Sequence, residues 1–185
     1  MSWKLGFVVL SARWDRGDVA LLDALGLIRR GAPRRVHIGD AQPEPFATSI
    51  ATVGDTTLVL DHLLPYDVAY DPPFASALSD RLRALSAVAP VLAGFLDGVT
   101  ATYAFCTFDH GVVTRAWEVV SHARSIDHGT PFLEESGRDD EGRVFAVTAR
   151  WLGRSLADLM FEPGLDVALY PADGDQAAPT TSSRR

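Results

Sequence analysis

The sequence predicts one α+β domain over residues 1–170, built on a largely antiparallel sheet of about six or seven strands with helices packed mainly on one face. Three patterns carry that expectation. In Ala101–Val120, two β-rich runs flank Asp109-His110-Gly111, with Gly where a hairpin needs a left-handed residue. A second hairpin reads as Phe46–Val53 and Thr56–Leu60 around Gly54-Asp55, with β-branched residues in both arms. Between them, Phe74, Leu78, Leu82 and Leu85 recur at spacings of four and three, the signature of an amphipathic helix from Phe74 to Ser86.

Pairing Phe108 with Val112 sorts the Ala101–Val120 hairpin into two faces. One carries Tyr103, Phe105, Val113, Arg115, Trp117 and Val119. The other carries Ala104, Cys106, Phe108, Val112, Thr114 and Ala116. Both are mostly apolar, so the hairpin belongs in a sheet covered on both sides over part of its area.

Taken in chain order, Lys4–Ser11 is a short Val- and Leu-rich run, a buried first strand. Asp15 or Asp18 caps a helix through Leu27 with Leu21, Leu22 and Leu25 inward, and Gly26 suits its C-terminal cap. Arg34–Gly39 reads as a strand, so this first strand–helix–strand unit allows one parallel pair. Asp40–Pro45 reads as a loop, and Asp67–Pro73 as a loop delivering the chain to the Phe74 helix. Ala87–Gly98 fits either a helix opening at Pro90 or a strand. The turn signal Asp97-Gly98 favours the strand, with Pro90 at its start or on an edge. Ser121–Gly129 is polar and reads as a solvated loop. Thr130-Pro131 opens a short helical turn through Glu134-Glu135. Asp139 or Asp140 then caps a final helix to Met160, an assignment that the length of the apolar pattern favours over a strand at Arg143–Trp151. Leu165–Tyr170 is a last short strand, and 171–185, rich in Ala, Ser, Thr, Asp and Pro, is expected to be disordered.

Composition excludes several classes. A formal charge of −7 and the absence of a basic patch argue against nucleic-acid binding. The Arg29-Arg30 and Arg34-Arg35 doublets read as a solvated face or as a grip for an acidic partner, since arginine binds carboxylates bidentately. No run approaches the roughly 18 apolar residues of a membrane span. The run Leu5–Leu10 is short for a signal-peptide core and passes into Arg13-Trp14-Asp15, so a cytoplasmic location is expected. The single cysteine forbids an internal disulfide.

Catalytic motifs are absent. There is no Gly-x-Ser-x-Gly elbow, no P-loop and no Gly-x-Gly-x-x-Gly, so no cofactor is expected. Cys106 lies mid-strand among small apolar residues, the setting of an inert thiol. His122, Asp127 and His128 share one polar segment without metal-ligand spacing. Arg115 stands out, because it shares a strand face with Tyr103, Phe105 and Trp117. It is either stacked on a ring or paired with an acid, as a structural arginine or as part of an aromatic-and-Arg binding patch.

The pattern Tyr103, Phe105, Gly111 and Arg115, followed by Gly129, Pro131, Phe132, Glu134 and Glu135, resembles a recurring arrangement in small uncharacterised bacterial proteins, immunity-type and accessory proteins among them. It spans Leu96 to Leu156. The resemblance implies an α+β sheet domain and no catalytic residues. The resulting expectation is a non-enzymatic factor that binds another protein, with Tyr103, Phe105, Arg115 and Trp117 as its binding residues. The alternative is a small hydrolase or ligand-binding enzyme with a cleft near His122, His128, Glu134 and Glu135, which requires those side chains to converge.

Overall fold

The structure, a computed structural model, describes residues 4–27, 32–41, 47–61, 64 and 76–171. The Arg29-Arg30 doublet, Phe46, Phe74, the Asp67–Pro73 loop and the tail beyond Pro171 lie outside them. A nine-stranded sheet forms the centre. Its strands are β1 (Lys4–Leu10), β2 (Arg34–His37), β3 (Thr48–Val53), β4 (Thr56–Asp61), β5 (Val91–Asp97), β6 (Thr102–Asp109), β7 (Val112–Val120), β8 (Ala123–Gly129) and β9 (Asp166–Tyr170). The helices are α1 (Asp18–Leu25), α2 (Ile38–Ala41), α3 (Ala77–Ser86), α4 (Asp140–Leu152) and α5 (Leu156–Met160), with a 3-10 turn at Leu133–Glu135. Among the described residues, no helix is long and apolar enough to cross a membrane.

Strand order is β2-β9-β3-β4-β1-β5-β6-β7-β8, and every neighbouring pair is antiparallel. The α+β class therefore holds, while three expectations need correction. The sheet has nine strands rather than six or seven. The parallel pair allowed by the first strand–helix–strand unit does not form, because β2 crosses to the far edge beside β9. Helices cover both faces rather than mainly one. Leu21, Leu22 and Leu25 of α1 and Leu78, Leu82 and Leu85 of α3 pack with Val8, Val59, Cys106 and Phe108. On the opposite face, Ile38 of α2, Val144 and Val147 of α4 and Leu156 and Leu159 of α5 pack with Phe7, Phe105 and Trp117. A strand such as β1, apolar at six consecutive buried positions, needs both covers.

Local chemistry explains most boundaries. Gly26 adopts a left-handed C-cap, with Leu27 N–H donating to the Leu22 carbonyl at 2.8 Å. At the other terminus of α1 the N-cap is Gly17, without a side-chain bond, rather than Asp15 or Asp18. Ser76 caps α3, and Asp139 caps α4 by accepting from Gly142 N–H at 2.8 Å. The predicted final helix is two helices. Gly153, left-handed at φ 71°, stops α4, and α5 restarts after Ser155. Strand β2 ends at His37, where Ile38 begins α2.

The Ala101–Val120 hairpin forms with a tighter turn than Phe108–Val112 pairing requires. His110 and Gly111 are both left-handed, at φ 48° and 79°, so Asp109 pairs with Val112 and Phe108 with Val113. A bulge beyond Phe108 then places Thr107 opposite Arg115. Val113 consequently packs with the α1–α3 face, while Trp117 and Val119 keep their place beside Tyr103 and Phe105. Ala87–Gly98 yields strand β5, with Pro90 just before it.

Candidate functional site

The bulge that re-registers β7 sits where Arg115 turns its side chain under the 3-10 turn. Arg115 is 1% exposed and saturated with acceptors. Its Nε donates to Glu135 Oε1 at 2.9 Å and its Nη2 to Glu135 Oε2 at 2.7 Å, a bidentate fork. Nη1 donates to Asp127 Oδ1 at 2.6 Å, to the Ala116 carbonyl at 3.1 Å and to the His128 carbonyl at 2.9 Å. The guanidinium carbon also lies 5.8 Å from the Phe105 ring centroid. Both sequence expectations for this residue, ring contact and acid pairing, are met together.

Each carboxylate is tied to a different element. Glu135 comes from the 3-10 turn, where its Oε1 also accepts Phe132 N–H at 2.7 Å. Asp127 comes from β8, and its Oδ2 accepts from Arg124 at 2.8 Å. The Arg115 hydrogen bond, ahead of its charge, holds the Asp127 carboxyl below the usual carboxylate range. Hydrogen bonding to Glu135 raises Arg115 against the opposing effect of burial. Arg143 of α4 covers the cluster, 4.6 Å over the Trp117 ring, with Nη1 3.9 Å from Glu135. Phe105 stacks on Trp117 at 5.8 Å. Arg115 thus binds β7, β8 and the 3-10 turn to one another.

Tyr103, Phe105, Arg115 and Trp117 are brought together as expected, but inside the fold, at 8%, 2%, 1% and 1% exposure. Arg143 and Asp127 complete the cluster. The other candidate set is dispersed. His122 and His128 stand at opposite ends of β8, roughly 20 Å apart for an extended strand. Glu134 pairs with Arg150 at 3.0 Å, whereas Glu135 is buried on Arg115. Among the described residues, no three His, Cys, Asp or Glu side chains gather as metal ligands. Cys106 is buried, and burial pushes its thiol far above the ordinary range. A shallow cavity of about 220 Å³ lies between the β3–β4 turn and the α5–β9 loop; its Arg154 and Glu162 neutralise each other at 2.8 Å.

The cluster braces a surface that the sequence did not reveal. Ser121–Gly129, expected to be a loop, is largely strand β8, which pairs with β7 and forms one edge of the sheet. Six of its seven residues are exposed and Ile126 is half-buried. Periodicity could not find it, because an edge strand wet on both faces needs no apolar alternation. Its turn, Ser121-His122, adopts left-handed φ of 49° and 65° without glycine, which removes the usual hairpin signal. The one available hint was the Arg115…Glu135 pattern, which encloses the segment.

β8 is held from behind at three points: the His128 carbonyl on Arg115, the Asp127 carboxylate on Arg115 and Arg124, and the Ser125 hydroxyl on Glu118. Glu118 is 4% exposed and, among the described residues, its Oε1 has no hydrogen-bond partner. Burial raises its pKa, and the Ser125 bond opposes that only in part. A carboxyl raised on folding favours the fold at low pH, and this contribution is lost as pH rises through the folded value. Glu118→Gln is therefore expected to raise Tm at pH 7, with the gain shrinking toward about pH 4. Thermal melts at both pH values check this, and an equal shift at both would refute it. Compared with protein-family models, with curated proteins and with solved structures, the chain gives no match.

Proposed function

We propose that this protein is a non-enzymatic protein-binding factor, of immunity or accessory type, that takes an extended segment of its partner onto the outer edge of β8. The observation that carries this reading is an exposed edge strand anchored by a fully buried arginine. Strand addition uses main-chain hydrogen bonds for affinity, and an edge already fixed in extended form loses little entropy on docking. In this reading Arg115 acts on the partner through the strand it holds, and Phe105, stacked on Trp117, backs the arginine. The dispersal of His122, His128, Glu134 and Glu135 gives the cleft reading no comparable support.

The edge also carries restraint. Ser125 is an extra residue opposite the Glu118–Val119 step of β7, and bulges and charges on an edge oppose indiscriminate sheet extension. That suits a selective binder. Photo-crosslinking tests the reading. A crosslinking residue in place of Arg124 or of His128 is expected to capture one protein from a lysate of the source cells. The same residue in place of the exposed Val88 or Phe161 is expected to capture none. Capture from Val88 or Phe161 alone would move the interface away from β8.

A further inference from the structure

We infer that the segment received by β8 presents a carboxylate, by reach a glutamate side chain, to Arg143 of α4 across Asp127. This rests on the strand-addition reading and adds the chemistry of the partner.

Two donors of the cluster have nothing to donate to. Trp117 is 1% exposed, and among the described residues its Nε1–H meets no acceptor. Arg143, whose guanidinium lies over that ring, has a buried Nε–H that also meets none. Its Nη1 comes only within 3.9 Å of Glu135, so Arg143 forms no hydrogen bond among the described residues. Buried donors are ordinarily paired, and an arginine stacked on an aromatic ring with its fork unfilled is suited to receive a carboxylate. The Arg143 side chain keeps 19% exposure, which leaves an acceptor a way in.

The neighbouring acids do not fill the fork. Both Glu135 oxygens accept from Arg115, and Oε1 accepts from Phe132 N–H as well. Both Asp127 oxygens are taken, Oδ1 by Arg115 and Oδ2 by Arg124. Three guanidinium groups, those of Arg115, Arg124 and Arg143, thus stand against two carboxylates. At the start of α4, Asp139 caps Gly142 N–H and Asp140 lies 3.9 Å from His122. Among the described residues, Arg143 pairs with neither of them, nor with Glu141. Asp140 stands by His122, at the Ala123 end of β8, so an arriving carboxylate is favoured nearer Asp127.

That position is at the edge. Asp127 lies opposite Trp117 in register, with its side chain 36% exposed. After the Arg115 hydrogen bond and the charges of Arg115 and Arg124, the charge of Arg143 also holds the Asp127 carboxyl low, so Arg143 acts on β8. Strands lie about 5 Å apart, which puts an added strand two spacings from Trp117, a span that glutamate bridges better than aspartate. The −7 of the whole chain opposes an acidic segment at long range. Contact with a partly buried guanidinium is screened less and decides where the segment settles.

Two decapeptides test this, one alternating glutamate with valine and the other lysine with valine, each titrated into the isotopically labelled full chain and followed by NMR. The glutamate peptide is expected to shift the Ala123–Gly129 amides and, on the same saturation curve, the Arg143 Nε–H and Trp117 Nε1–H signals. The lysine peptide is expected to bind more weakly and to leave both side-chain signals in place. Arg143→Gln is expected to weaken the glutamate peptide about 3- to 10-fold, and Arg143→Lys to recover part of that loss. Unmoved β5 and β6 amides show that each variant is folded, and the wild-type side-chain signals decide alone if a variant is not. Equal affinity for both peptides, unmoved side-chain signals, or no effect of Arg143→Gln in the folded variant removes the carboxylate inference and leaves strand addition standing. If neither peptide shifts β8, or the shifts lie elsewhere, strand addition falls as well. Shifts of the same amides on raising the protein concentration without peptide would identify a second copy as the occupant and overturn the inference.

Discussion

Arg115→Met is expected to lower the stability of the fold by about 3–5 kcal/mol, the usual cost of removing one member of a buried ion pair. Methionine fills much of the same volume, so packing loss is small and the effect is electrostatic. It removes the bidentate partner of the Glu135 carboxylate at 3% exposure, leaving it Phe132 N–H and the more distant Arg143, and leaves the Ala116 and His128 carbonyls without a donor they now share. Asp127 keeps Arg124 as a partner on its more exposed side. The damage is expected to appear first at β8, because two of its three posterior anchors are lost at once. Hydrogen exchange should show the Ala123–Gly129 amides losing protection before those of β5 or β6. Adding Glu135→Gln to Arg115→Met is expected to recover part of the loss, since the buried negative charge disappears, although Phe132 N–H keeps only an amide oxygen as its acceptor. Equilibrium denaturation measures all three variants. A loss below about 1 kcal/mol for Arg115→Met, the range of a surface pair, would mean that the cluster is not a brace.

How far this site could be read from the sequence follows from how each part is stabilised. Hairpin β6–β7, strand β5 and the capped helices carry their signals locally: Gly111 in a left-handed turn, runs of buried β-branched residues, Ser76 and Asp139 at helix starts. Arg115 was legible as an anomaly, a charge among aromatics on a core face, and its acid partner lies within the expected Glu134-Glu135 turn. What could not be read was the direction in which the aromatic–Arg face points. Tyr103 and Trp117 would form an exposed patch if α4 packed elsewhere. They become interior because they share one core with Val144 and Val147 of α4, whose Arg143 covers the Trp117 ring, a choice made between elements far apart in sequence. β8 was hidden for the opposite reason. It owes its extended form to one neighbouring strand and to Arg115, Arg124 and Glu118, so nothing periodic in Ala123–Gly129 announces it. The same holds for the two-sided helix cover, since the hydrophobic faces of α1 and α4 do not reveal which side of the sheet each occupies.

Gly94→Ala is expected to cost about 2–4 kcal/mol, although alanine ordinarily suits a strand better than glycine. Gly94 lies in β5 between Phe7 of β1 and Phe105 of β6, each directly opposite it in register. The Phe7 ring lies across the glycine. A Cβ built at Gly94 would sit 2.1 Å from Phe7 Cζ and 2.6 and 2.7 Å from its Cε atoms, so the ring must move. It has little room, being wholly buried in the core that also contains Leu60, Phe105 and Trp117. Displacement toward Phe105 would press on the ring that supports Arg115 and stacks on Trp117, which couples a methyl group in a central strand to the edge at β8. Phe7→Leu alone should cost about 1–2 kcal/mol through the space it leaves, and in the Gly94→Ala background that space accepts the methyl. The pair is therefore expected to be at least about 1 kcal/mol more stable than the sum of the single losses predicts. A double-mutant cycle by denaturant unfolding measures the coupling. Simple additivity would show that the core yields somewhere other than at Phe7, and the proposed link from β5 to the brace would then have to be abandoned.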